Sequence, residues 1–267
     1  MKKNIGLVLS GGGARTIAHI GLIKALEEEN INITHVSGTS AGAIVAALYA
    51  SDYSAQEILN FFKKTVLFKV SFYAASQISF LSTNEYSGIF KQYFKYDDFE
   101  ALNKKLYVSA TDIVNAKNKI FQSGKLVKTL LASAAYPMVF KPVKIDGKLY
   151  LDGGITNDFP IEPLRWQCDL VIGSYVTPLS SMGKIDLENR HRLLQRTYDV
   201  SSLTNSIHKF PMCDMMFQPN QLSQFGFYEG KYLDDIYRIG YLSAKGNMGE
   251  LKRKIEQLEM DRTAVLR

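Results

Sequence analysis

The stretch "VSGTSAGAIVAALYA", residues 36–50, decides how the chain is read. It runs from an apolar segment over two glycines that flank Ser40 and straight into an alanine-rich run of helical character. Gly38-Thr39-Ser40-Ala41-Gly42 is a turn between a strand and a helix, and such a turn pushes a serine hydroxyl out of a sheet at the positive end of a helix. The small neighbours Thr39 and Ala41 suit a crowded elbow of this kind. A glycine-rich turn capped by Ser40 or Thr39 accounts for the same letters, and Gly-x-Ser-x-Gly arises by chance. A nucleophile needs a base and a group that receives negative charge, so the rest of the chain has to supply both.

The order of elements around this turn predicts the fold. Ile5 to Leu9 is a short continuous apolar run that ends in glycines, as a strand buried on both faces does. A helix is predicted from about Arg15 to Glu29, closed by Asn30, then a strand over Ile33 to Ser37 and a helix over Ala41 to Ala50. Strand, glycine turn, helix, repeated, is the pattern of a parallel α/β sheet. Ser54 with Glu57, and Ser82 with Glu85, form capping boxes that open further helices. Between them lies "TVLFKVSFYAASQISFL", residues 65–81, aromatic and without clear periodicity, in which Phe68 to Phe80 reads as plain core or as a lid.

Strands are predicted at Leu106 to Val114, Lys119 to Ser123, Asp169 to Val176 and Met215 to Phe217, and a helix over Leu126 to Ala135 is stopped by Pro137. "PVKIDGKLYLDGG" reads as a hairpin that turns at Asp146 and Gly147 and delivers Asp152 at a strand end. Leu233 to Leu258 closes the chain as one or two helices. The expected architecture is an α/β fold, a three-layer α/β/α sandwich around a mostly parallel central sheet. It is read as one domain over residues 1–267, with a core of about 3–245 and a C-terminal helical tail of about 246–267.

Composition narrows the function. With 46% hydrophobic and 22% charged residues the chain is of the globular class. Lys and Arg number 32 against 26 Asp and Glu, a net charge of +6 that mildly favours anionic surfaces and is equally a solubility feature. Two cysteines, Cys168 and Cys213, are too few for a disulfide framework and fit a reducing cytoplasm. Lys2 and Lys3 precede an apolar stretch that breaks at Ser10, short for a signal peptide, and no run reaches the ~20 apolar residues of a membrane span, so any membrane contact is expected to be peripheral. Acidic pairs such as Asp97 with Asp98 and Asp234 with Asp235 read as solvated faces or helix starts, so neither a metal nor a cofactor is expected.

Two other motifs carry chemistry. "LVLSGGGAR", residues 7–15, is a strand that ends in three glycines and enters a helix, where free amides attract negative charge. A nucleotide loop of the Gly-x-Gly-x-x-Gly kind needs glycine where Thr16 stands, and no Lys-Ser or Lys-Thr pair follows. An oxyanion hole remains, built from the amides of Gly11, Gly12 and Gly13, with Arg15 fixing the loop or adding positive field, beside the reading as a tight packing turn. In "LYLDGGITNDFPIEPL", residues 149–164, Gly153 and Gly154 clear the space around Asp152, although Asp-Gly is also a common turn. Asp158, ahead of Phe159 and Pro160, reads as a helix N-cap. Of the four histidines, His191 and His208 read as surface residues, His19 falls in a helix and His35 in a strand, so none is a convincing base.

Together "SGGGAR", "GTSAG" and "LDGG", in that order, resemble the patatin-like phospholipase family, especially its small bacterial members. "LLASAAYPMVFKPV" and "FGFYEGKYLDDIYRIGYLSA" resemble it too, and the resemblance spans roughly residues 3 to 245, with 60 to 100 not distinctive. The resemblance implies a Ser-Asp dyad without histidine: Ser40 the nucleophile, Asp152 its base, and Gly11, Gly12, Gly13 and Arg15 the oxyanion loop. Gly38 and Gly42 would form the elbow, and Gly153 and Gly154 the acid motif. Thr16 replaces a final glycine of the family's loop, and Ser10 stands where some members carry aspartate. The implied activity is hydrolysis of fatty-acyl esters of phospholipids, lysophospholipids or related lipids. Acyl transfer on the same fold and a non-catalytic lipid-sensing protein are the alternatives. The expected partners are a lipid or acyl-ester substrate and, peripherally, an anionic membrane surface; nucleic acid is not expected.

Overall fold

A computed structural model describes residues 3–65, 84–137, 139–181, 183 and 188–265. The aromatic run at 65–81 and the Ser82–Glu85 capping box fall almost wholly outside these residues. Eight strands form one mixed sheet: β1 (Ile5–Leu9), β2 (His35–Thr39), β3 (Lys105–Asp112), β4 (Lys117–Phe121), β5 (Val143–Ile145), β6 (Lys148–Asp152), β7 (Leu170–Ser174) and β8 (Met215–Phe217). Their spatial order is β5-β6-β3-β2-β1-β7-β8, with β4 on the side against β3. The pairs β1–β2, β1–β7, β2–β3 and β7–β8 are parallel, and β3–β4, β3–β6 and β5–β6 are antiparallel. The predicted parallel sheet therefore carries an antiparallel lobe at one end, where two hairpins join it.

Alternation along the strands explains both layers. Ile5, Leu7 and Leu9 face the larger core, while Val8 faces a second cluster with Tyr107, Phe159, Leu164, Val171 and Tyr175. The sheet is thus buried on both sides, which is why its central strands read as continuous apolar runs. The larger layer holds α1 (Ile17–Glu28), α2 (Ala41–Ala50), α3 (Ala55–Lys64), α4 (Asn84–Tyr93) and α5 (Leu126–Ser133). Helices α6 (Arg190–Ser206) and α7 (Leu233–Val265) follow. Ser54 and Glu57 close the capping box of α3, and Asp97 accepts from the Val127 amide at the start of α5 at 2.7 Å.

Helix α7 is one continuous element that lies against α1. A Cβ on Gly21 would stand 2.4 Å from the Tyr237 carbonyl oxygen, and one on Gly240 would stand 2.1 Å from that of Ala18, so the two backbones touch. Met248 and Leu251 are buried in the main core, and Lys245 and Lys252 pair with Glu29, so packing continues well past residue 245. Among the described residues no helix is long and apolar enough to cross a membrane.

Several boundaries shift by one or two residues from the sequence reading, and two of these shifts frame the elbow and the glycine loop. The strand read at Ile33 to Ser37 lies at His35–Thr39, running up to the elbow itself. The helix read from Arg15 begins at Ile17, because Gly13–Thr16 forms a separate 3-10 turn.

Candidate active site

Strand β3 has two edges, and its partners show how the site is assembled. β4 pairs with Val108–Asp112. β2 pairs with Lys105–Ser109 and β6 with Ala110–Asp112, and because both overlap β4 they must share the opposite edge. They run towards each other and meet tip to tip, Thr39 against Ser109 and Asp152 against Ala110. Residues far apart in sequence are thereby brought together: the Ser40 hydroxyl donates to Asp152 Oδ2 at 2.6 Å.

Ser40 occupies an unusual backbone conformation, φ 56° and ψ −133°. A non-glycine residue there stores strain, and surrounding contacts must hold it. The Ser40 amide donates to Ser133 Oγ at 2.9 Å, and that hydroxyl donates to the Ser109 carbonyl at 2.6 Å. The flanking glycines are required by close approach: a Cβ on Gly42 would stand 2.2 Å from the Ser10 carbonyl oxygen, and one on Gly38 2.8 Å from Ala43 Cα.

Asp152 is 1% exposed. Its Oδ1 accepts from the Gly154 amide at 2.8 Å and from the Tyr198 hydroxyl at 3.0 Å, which leaves Oδ2 to Ser40. Burial pushes its carboxyl up to about 6, while the hydrogen bonds from Ser40, Gly154 and Tyr198 pull the other way. Gly153 and Gly154 are needed here because a Cβ on the first would stand 2.4 Å from the Ser109 carbonyl oxygen and on the second 2.3 Å from the Tyr198 hydroxyl.

The glycine loop lies against this pair. Gly12 and Gly13 have φ of 148° and 58°, conformations open to glycine. Their amides have no hydrogen-bond partner among the described residues, whereas the Ala14 amide donates to the Phe227 carbonyl at 2.8 Å. Gly11 differs from the expectation of three free amides: its N–H donates to Asp158 Oδ1 at 3.1 Å. Arg15 fixes the loop. Its Nε donates to the Gly12 carbonyl at 3.2 Å, and Nη2 reaches both carboxyl oxygens of Asp199 at 3.0 and 3.2 Å, in a buried pair. Thr16, where the family's pattern has glycine, donates to the Gly13 carbonyl at 2.7 Å.

Asp158 is no helix cap. It is buried, and the helical turn Glu162–Arg165 that follows is entered from Ile161. Burial pushes the Asp158 carboxyl up to about 7, helped by the negative charges of Asp152 and Asp199, with the Gly11 amide and Arg15 opposing. Three acids, Asp152, Asp158 and Asp199, therefore crowd around one serine and one arginine.

The histidines stand elsewhere. His19 is buried in α1 between Ser174 Oγ at 2.8 Å and the Ser10 carbonyl at 2.9 Å, and burial lowers it to about 4, so it stays neutral at pH 7. His35 lies in β2, hydrogen-bonded to Thr34, His191 in α6, and His208 in the 3-10 turn Ile207–Met212. Tyr198, Asp199 and Ser133 are site residues that the motifs did not point to, and Asp158, read from its motif as a helix cap, joins them. An aromatic group also lines this region: Tyr136 stacks on Phe227 at 4.7 Å and meets Tyr198 edge-on at 5.0 Å. Chemically, a strained hydroxyl bonded to a carboxyl of raised proton affinity, beside two free amides, is an arrangement for attack on a carbonyl.

The sequence model described as Patatin-like phospholipase matches residues 7–165. Lysophospholipase NTE1 of Yarrowia lipolytica is 33% identical over 193 residues, 68% of this chain and 13% of the relative. Lysophospholipase nte1 of Emericella nidulans is 27% identical over 286 residues, 93% of this chain and 18% of the relative. This chain thus spans less than a fifth of the length of either. In fold it is similar to VipD from Legionella pneumophila, with a TM-score of 0.55 at 16% identity over 93% of this chain and 67% of that one. It is also similar to human GIVD cytosolic phospholipase A2, with a TM-score of 0.53 at 11% identity over 96% and 59%. The extent of the sequence match and the fold lead to one assignment: the chain belongs to the patatin-like phospholipase family.

Proposed function

We propose that the chain is a serine acyl hydrolase that cleaves fatty-acyl esters of phospholipids, lysophospholipids or related lipids. The observation that carries this reading is the 2.6 Å hydrogen bond from Ser40 Oγ to Asp152 Oδ2 at a strained elbow. Asp152 takes the Ser40 proton as Oγ attacks the ester carbonyl, and the Gly12 and Gly13 amides receive the negative oxygen. The protonated Asp152 then gives its proton to the departing alcohol oxygen. Water, deprotonated in turn by Asp152, releases the fatty acid from Ser40. Burial supports the aspartate in this role, because a carboxyl raised to about 6 is a stronger base than an exposed one and still ionised at pH 7. The substrate class puts the reaction at a lipid surface, and peripheral contact with an anionic one belongs to the same reading.

Hydrolysis of a p-nitrophenyl acyl ester tests the scheme. Ser40→Ala and Asp152→Asn should each lower kcat on the order of 10⁴-fold while the circular dichroism spectrum is kept. A fluorophosphonate probe should label Ser40 in the wild type alone. Turnover retained in either variant, or no labelling of the folded wild type, contradicts the dyad.

A further inference from the structure

The antiparallel lobe stands on the same edge of the sheet as the Ser40–Asp152 pair. β2 points at that edge, and β3, β4, β5 and β6 continue beyond it. Pairing goes on past Asp152 through Tyr150 opposite Asp112, and the Ile113 amide donates to the Leu149 carbonyl at 3.0 Å. At the usual rise per residue, Leu149 lies about 10 Å beyond the catalytic pair, and Val114 stands past it in the turn between β3 and β4.

The lobe's tip has an unusual surface. Val114, Ile113 and Leu149 are 71%, 40% and 37% exposed. On the same two hairpins Lys117, Lys119, Lys144 and Lys148 are exposed, with Lys141 leading into β5; Lys144 stands opposite Leu149, and Lys119 is level with Asp152. Segments 113–119 and 141–149 hold these five lysines and one acid, Asp146, a net charge of +4 in a chain whose whole excess is +6. None of the five is in an ion pair among the described residues, whereas Lys3, Lys63, Lys104, Lys209, Lys245 and Lys252 each are. Lys119 lies over the Phe121 ring, and Lys148 acts on the Asp112 carboxyl, which the turn residue Asn115 already occupies. The charge is therefore offered outward, around apolar side chains at a hairpin tip.

We infer that this two-hairpin lobe is the surface by which the protein docks on an anionic lipid bilayer, with Val114 at the level of the acyl chains and the lysines on the headgroups. The inference rests on the lipid-hydrolase reading for its purpose and names the surface that reading lacks. Acidic headgroups complement the unpaired lysines, and an apolar tip between them suits an interface better than it suits a wholly polar partner. Docking there would bring Ser40 to face the lipid from which an acyl ester is drawn.

The test uses the full chain as Ser40→Ala, so that binding is read without turnover. In flotation with vesicles, it should bind phosphatidylcholine mixed with phosphatidylglycerol and leave phosphatidylcholine alone unbound, and raising the salt should release it. Each lysine changed to glutamine should weaken partition about five-fold, and K117Q/K144Q/K148Q together about 100-fold. Val114→Asp should also detach the protein. On the Ser40 background, the same lobe variants should hydrolyse a soluble p-nitrophenyl ester at the wild-type rate while losing turnover of the anionic vesicles. Equal binding to neutral vesicles, unchanged partition in the triple variant, or capture of nucleic acid in place of vesicles would overturn the proposal. Failure of the soluble-ester assay with intact vesicle binding would instead strike the hydrolase reading alone.

Discussion

At the residue scale, glycines frame the pair Ser40 and Asp152: a Cβ on Gly38, Gly42 or Gly153 would meet neighbouring backbone, and one on Gly154 the Tyr198 hydroxyl. Tyr198 and Asp199 carried no such mark, since their role depends on where α6 docks, which no local pattern encodes. Asp158 was misread for a definite reason. Pro160 suggests a helix start, yet the helical turn begins at Glu162, and the carboxyl is spent on the Gly11 amide instead. That placement has a pH consequence. On the proposed mechanism the rate should rise as pH increases through about 6, where Asp152 loses its proton, and fall again through about 7, where Asp158 gains a negative charge beside the glycine loop. Since the two carboxyls repel, these limbs belong to the pair. Asp158→Asn keeps an acceptor for Gly11 without the charge, so its kcat/KM profile should lose the alkaline limb and keep the acid one. An unchanged profile in that variant would remove Asp158 from the account.

At the scale of elements, hydrophobic period and glycine punctuation located most strands and helices, and α2 fell at the residues expected. What the sequence did not declare was pairing: the turn at Asp146 and Gly147 announces a hairpin, but not that β6 shares an edge of β3 with β2. Nor did it declare that α7 runs unbroken, because Gly240, Gly246 and Gly249 resemble helix stops. Two of these glycines should answer oppositely to the same substitution. A Cβ on Gly240 meets the Ala18 carbonyl, so Gly240→Ala should cost about 1–3 kcal/mol as α1 and α7 are forced apart. Gly246 has nothing within 4 Å of its would-be Cβ and is exposed, so Gly246→Ala should stabilise by about 0.5–1 kcal/mol. Urea unfolding midpoints compare the two directly, and a shared sign would mean that contact between the helices does not set the choice.

At the scale of the whole molecule, the C-terminal helix is part of the core. Ending the chain after Lys245 removes the buried side chains of Met248 and Leu251 and the Lys252–Glu29 pair. At about 1.5–3 kcal/mol for each apolar side chain, the shortened protein should lose roughly 3–6 kcal/mol, a visible drop in melting temperature. A melting temperature equal to that of the full chain would show residues beyond 245 to be dispensable. The Arg15–Asp199 pair has a different consequence, one of timing. The elbow is complete by residue 42, and the carboxyl that accepts from Ser40 arrives only at residue 152. The clamp on the glycine loop needs residue 199, and the carbonyl that takes the Ala14 amide belongs to Phe227. On the proposed dyad, a chain in which residues 152, 199 and 227 have not yet docked carries Ser40 without its acceptor or its loop clamp, so ester cleavage would be withheld from such partly folded forms.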